Sequence, residues 1–161
     1  MKSVFLVDIG NLYHTIGTRF ENKHLDYKKL LARANDFGEV ERAIAYGSQL
    51  GQEATGFISC IKNFGYEVRY KRHQTAPDSR VIVRKAVWDV GIAIDMARFA
   101  TRYNSLILGS VDTDLIPAIQ YVKETGMRIV CIGCTIPTEI RDLVDVTHEI
   151  SDDLLQEKSY V

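Results

Sequence analysis

The sequence predicts a doubly wound α/β fold, a mostly parallel sheet with helices on both faces. Two observations predict it. Short, uninterrupted apolar runs recur along the chain, "VFLV", "LIL" and "IVCI", as strands buried on both faces require. Between them lie longer segments with apolar residues at helical spacing, and strands alternating with helices build βαβ units.

The elements follow in order. Val4–Val7 is the first buried strand, broken by "DIGN". Tyr27–Asn35 reads as a helix with Leu30, Leu31 and Ala34 on one face, Asp26 as its N-cap and Gly38 as its stop. Val40–Tyr46 is a second strand. Gln52–Phe64 places Phe57, Ile58, Ile61 and Phe64 at helical spacing and ends at Gly65. Tyr66–Tyr70 alternates as a third strand. After the stretch His73–Lys85, irregular at first, Val87–Tyr103 is expected to be the longest helix. Leu106–Leu108 is a fourth strand, Asp114–Thr125 a helix closed by Gly126, and Ile129–Ile132 a fifth strand. Pro137 suits the first turn of a short helix, and Ser151–Gln156 is expected to add another. No internal repeat, low-complexity segment or linker interrupts this pattern, so residues 1–161 read as a single domain.

Composition narrows the functional classes. The 161 residues are 46% hydrophobic and 25% charged, ordinary for a globular domain with a real core. A formal net charge of -1 supplies no global attraction to nucleic acid, so any such binding rests on a local basic patch. No apolar run approaches the roughly 18 residues of a membrane span, and the few apolar residues before Asp8 are too short for a signal-peptide core. The expectation is a cytoplasmic protein with no membrane partner. Three cysteines do not make a disulfide framework.

The chemistry lies in the aspartates. Asp8 ends the first strand, with Asn11 three residues on. Asp112 and Asp114 follow the fourth strand in "GSVDTD", after Ser110. In an open parallel sheet the ligand crevice lies beyond the carboxyl ends of the strands, at the point where strand order reverses. A doubly wound order puts the first and fourth strands side by side there and brings Asp8 to Asp112. Clustered carboxylates form an oxygen-rich pocket of the kind Mg²⁺ or Mn²⁺ prefers. Asn11 and Ser110 are suited to positioning a phosphate or a water. The same aspartates are also good caps, since a carboxylate beside a helix N-terminus accepts its free N–H groups.

"KAVWDVGIAID" adds Lys85, Asp89 and Asp95. Six residues on one helix turn through about 600°, so Asp89 and Asp95 point roughly 120° apart. Both can face one metal only if Asp89 sits at or before the helix start. Asp95 lies among Ile92, Ile94 and Met96. It must face the crevice or pair with a cation such as Arg98 at i+3, which ranks Asp89 above Asp95 as a ligand.

The segment Arg69–Lys85 carries Arg69, Lys71, Arg72, Arg80, Arg84 and Lys85 against one acid, Asp78, with His73, Tyr66 and Tyr70 as rings that can stack on bases. Cations and rings of this kind grip single strands; equally, they solubilise an exposed sheet edge. Cys131 and Cys134 form C-x-x-C, but Cys131 falls within a strand and no second pair exists. Zinc and redox roles are therefore disfavoured. No G-x-G-x-x-G, P-loop or G-x-S-x-G motif follows a strand, and the four histidines are scattered.

Taken in order, these motifs resemble the NYN family of the PIN-like nuclease superfamily, the branch that includes LabA-like proteins. "VFLVDIGNLY" resembles its first strand, "KAVWDVGIAIDM" its middle motif of a lysine and two aspartates, and "LGSVDTDLIPAI" its third, commonly S-G-D-x-D. The likeness spans roughly residues 3–135. Val111 stands where the pattern has glycine, and Lys85 and Asp89 are one residue further apart than expected. The resemblance implies a Rossmann-like three-layer α/β/α sandwich of about five to six strands, a Mg²⁺- or Mn²⁺-dependent acidic site, and RNA as substrate. It also admits a homodimer, for which no apolar stripe in the sequence argues.

The expected function is a metal-dependent ribonuclease. Asp8, Asp89, Asp112 and Asp114 would hold the metal, with Asp95, Asn11 and Ser110 in the catalytic neighbourhood. Asn11, Arg80, Arg84 and Lys85 would bind the RNA backbone. Two alternatives stay open: a non-catalytic RNA- or protein-binding regulator on the same fold, and another metal-dependent phosphotransfer enzyme built on the Asp-x-Asp pair.

Overall fold

The computed structural model describes residues 1–49, 53–72 and 87–158. Six parallel strands form the central sheet: β1 (Lys2–Asp8), β3 (Glu39–Gln49), β4 (Tyr66–Arg72), β5 (Ser105–Gly109), β6 (Arg128–Gly133) and β7 (Val146–Glu149), in the order β4-β3-β1-β5-β6-β7. β1 and β5 are neighbours, with Val7 in register with Gly109. The chain thus winds from β1 toward β3 and β4, then returns to extend the sheet through β5, β6 and β7. This reversal is the doubly wound order expected from the sequence, and it opens a crevice at the carboxyl ends of β1 and β5.

Alternation along the strands supplies two cores. Val4 and Leu6, Leu106 and Leu108 face one side, against α4 (Asp89–Phe99) and α5 (Ile116–Glu124). Phe5 and Val7, with Ile107, face the other, against α1 (Ile9–Arg19) and α2 (Tyr27–Phe37). Asp26 caps α2 by accepting from Lys29 N at 3.1 Å, as its sequence position suggested.

Several elements depart from the sequence expectation. "DIGN" ends the first strand as expected but also starts a helix that was not: Asp8 both ends β1 and caps α1, because its carboxylate accepts from Asn11 N at 3.1 Å. The sheet has six strands, within the five to six expected, although β7 was not among the elements read from the sequence; β2 (Lys23–Leu25) pairs antiparallel with β8 (Leu155–Glu157). The expected helix at Ser151–Gln156 is one 3-10 turn followed by β8, since the backbone there pairs with β2. α4 spans 11 residues, no longer than α1, α2 or α3 (Glu53–Asn63). The short helix expected at Pro137 is present as α6 (Thr138–Arg141).

Candidate metal centre

Three segments meet at the carboxyl edge of the sheet. β1 ends in Asp8, β5 leads into Asp112, and α4 begins at Asp89. One carboxylate oxygen from each of Asp8, Asp89 and Asp112 lies within 4.8 Å of the other two. Asp8 is 8% exposed, and Asp89 and Asp112 are half-buried. Among the described residues none of the three makes an ion pair with a lysine, arginine or histidine.

The local hydrogen bonds fix this arrangement. Asp8 uses one oxygen to cap α1, and Asp112 accepts from Asp114 N at 2.9 Å to cap the turn Thr113–Leu115. Each has a second oxygen beyond its cap. Ser110 is fully buried, and its Oγ accepts from Asp112 N at 3.2 Å. Asn11 Oδ1 accepts from Val111 N at 3.0 Å, tying the Asp8 and Asp112 loops across 100 residues of sequence. Asn11 and Ser110 therefore shape the site, a role the sequence reading did not assign them.

Electrostatics show what the arrangement costs. Burial raises the Asp8 carboxyl above its usual range, and the charges of Asp112 and Asp89 add to this against the lowering effect of the Asn11 N–H. Partial burial likewise raises Asp89, and Asp112 and Asp114 push it further. A set of hard oxygen donors whose charges repel, with no ion-pair partner among the described residues, fits a small divalent cation. Asp8, Asp89 and Asp112 would hold it, with exposed Asp114 at the rim.

Asp95 does not join them. It is 1% exposed and commits its carboxylate to the Tyr46 hydroxyl at 2.6 Å, the Arg69 guanidinium, and Arg98 at 3.7 Å. The pairing with Arg98 was one of two outcomes the sequence allowed; Tyr46 and Arg69 were not foreseen. Asp89 occupies the first position of α4 and so escapes the 120° problem, with its carboxylate at the helix end rather than on a lateral face.

The basic segment divides. Arg69 is spent on Asp95. Lys71 donates to Val87 O at 2.8 Å and lies 4.5 Å from the Trp88 ring centroid. Tyr66 is 3% exposed and packs edge-on against Tyr27, so it offers no face to a base. His73, Arg80, Arg84 and Lys85 lie outside the described residues. Cys131, within its strand, is buried, as is Cys134, and burial pushes the Cys131 thiol up to about 12.

Val111, in the position where glycine is usual, is 8% exposed and packs into the α4–α5 core. Its φ is not positive, so its β-branch strains nothing. Its Cγ1 fills the space where a Cβ on Gly133 would stand. A residue in β6 thus compensates for the larger side chain after β5.

The NYN domain pattern matches residues 2–154. The chain belongs to the NYN domain family. Within it, the chain is similar to the low amplitude and bright protein LabA of Synechococcus elongatus, at 30% identity over 123 residues, covering 71% of this chain and 66% of that protein. That name specifies no reaction. The fold is similar to a crystal structure of a protein of unknown function from Vibrio parahaemolyticus, with a TM-score of 0.84, 25% identity and 96% of each chain covered. Among the described residues no helix is long and apolar enough to cross a membrane.

Proposed function

We propose that this NYN domain is a metal-dependent ribonuclease. The observation that carries the reading is the convergence of Asp8, Asp89 and Asp112, from three separate elements, at the crevice of a nuclease-family fold. A divalent Mg²⁺ or Mn²⁺ ion bound there supplies an acidified water and a charge that offsets negative charge building on the phosphoryl oxygens.

The chain's own residues do the rest. Asp8, Asp89 and Asp112 would bind the ion; Asp114, exposed beside them, would orient a water or accept a proton. Asn11 and Ser110 keep the two aspartate loops at fixed separation. Arg80, Arg84 and Lys85, just ahead of Asp89 in the sequence, draw the RNA backbone toward the site. The charged residues compensate locally for a net charge of only -1.

The test is cleavage of mixed single-stranded and structured RNAs with Mn²⁺, Mg²⁺ or EDTA, run beside Asp112→Asn. Cleavage that needs metal and is lost in the variant is expected. Full activity in folded Asp112→Asn would sink the assignment. RNA binding without turnover, insensitive to Mn²⁺, would identify a regulator, and turnover of small phosphoesters a different phosphotransfer enzyme.

A further inference from the structure

We propose that Asp95 and Trp88 are positioning residues for Asp89: together they pin α4 to β3 and β4 so that the Asp89 carboxylate is preset for the cation. The inference rests on the metal site proposed above and assigns a role to two residues that do not touch it.

Asp89 differs from its two partners. Asp8 sits in the sheet ladder opposite Tyr46, and Asp112, three residues past β5, is tied to the Asp8 end by Asn11 and Ser110. Asp89 begins a helix that arrives from the edge of the sheet, and a helix end needs its own anchors. Two are present. At the N-terminus, the Trp88 indole N–H donates to Gly47 O at 2.8 Å, and its ring lies 5.5 Å from Tyr46 and 4.5 Å from the Lys71 ammonium. Lys71 also holds Val87 O. About 9 Å further along the helix axis, Asp95 is held by Tyr46 and Arg69.

Both anchors reach the same row of the sheet. Tyr46 is in register with Asp8 on β1 and with Arg69 on β4. The row that carries one metal ligand therefore also carries the groups that fix the helix carrying another. Gly91 supports this reading. A Cβ there would stand 2.8 Å from Trp88 Cε3, so the glycine, though helix-weakening, leaves the room in which the indole lies against the first turn. Burial of the Asp95 carboxylate demands its partners, which makes the anchor stiff. Groups that orient a ligand without touching the metal typically govern metal affinity by about 10–100-fold.

The experiment measures Mn²⁺ binding to the full chain by titration calorimetry at a temperature well below each melting point. Wild type is compared with Asp95→Asn, Tyr46→Phe and Trp88→Phe. Ile61→Val, in the core of the opposite face, serves as a control that lowers stability alone. Asp95→Asn should weaken Mn²⁺ by about 10-fold or more, Tyr46→Phe and Trp88→Phe by smaller factors, and Ile61→Val not at all. Unchanged affinity in the folded α4-anchor variants would overturn the positioning role while leaving the metal site standing. An equal loss in Ile61→Val would overturn it too, as an effect of general stability. If Asp95→Asn does not fold, Tyr46→Phe carries the test, because it removes one hydroxyl and leaves the ion pair. Wild type that binds no Mn²⁺ at all would overturn both this role and the metal reading.

Discussion

Asp112→Asn should stabilise the metal-free protein and destabilise the metal-loaded one relative to wild type. The asparagine keeps the cap to Asp114 N, since Asn and Asp cap about equally well, and removes one charge from a cluster whose oxygens lie within 4.8 Å of one another. At 4.8 Å a like-charge pair repels by about 0.9 kcal/mol in a water-like medium and about 3.5 kcal/mol at an effective dielectric of 20. Asp89 and Asp112 are half-buried, which favours the lower value, and physiological salt cuts it further over a screening length of about 8 Å. Asp112 faces two such neighbours, so its neutralisation should release about 1–2 kcal/mol. For a chain of this size each kcal/mol moves the melting point by about 2–4 °C. Melting curves in EDTA should place Asp112→Asn above wild type by that amount. Saturating Mn²⁺ at about 100 times its Kd adds about 2.7 kcal/mol to a protein that binds it, so with Mn²⁺ the order should reverse. A variant that melts below wild type in EDTA, or that gains as much from Mn²⁺ as wild type does, would refute both the repulsion and the ligand role.

The pH dependence has a definite sign. Asp8 and Asp89 have folded-state pKa values above the unfolded 3.8, so folding takes up protons between 3.8 and those raised values. Metal-free stability from this pair is greatest at the acid end and falls as pH rises through that window. Glu67, lowered by Arg42, acts oppositely, so the melting-point difference between wild type and Asp8→Asn isolates the cluster; Mn²⁺ affinity should also drop as pH falls into the window. Val111→Gly should cost about 1–3 kcal/mol by opening a cavity and loosening the backbone. Gly133→Ala should also destabilise, whereas the double variant should be better than the sum because the new methyl takes the vacated space; additive losses in denaturant titrations would contradict the pairing. A thiol-reagent assay should find Cys60 reactive in the native protein, with Cys131 and Cys134 protected until it unfolds. Rapid native labelling of all three would contradict the buried placement.

The sequence by itself determined the fold class and singled out three aspartates that the structure brings together. Apolar runs such as Val4–Val7 and Leu106–Leu108 need no distant partner to be recognised as buried strands, and an aspartate after each is placed by connectivity alone. The reversal of strand order then makes Asp8 and Asp112 neighbours. Spacing also warned that Asp89 and Asp95 could not share a lateral face of one helix. It ranked Asp89 above Asp95 as a candidate ligand but could not name the partners of Asp95, because those depend on where α4 docks. Tertiary structure supplied them as Tyr46 and Arg69, which lie 49 and 26 residues from Asp95. The same contacts take Arg69 away from RNA binding, and Tyr27 takes the face of Tyr66. Local pattern likewise missed α1, whose start depends on a side-chain cap from the last residue of β1, and β8, whose three residues become a strand only by pairing with β2. Periodicity records which residues seek burial; which surface buries them, and which charge answers which, is settled only when segments distant in the chain are packed together.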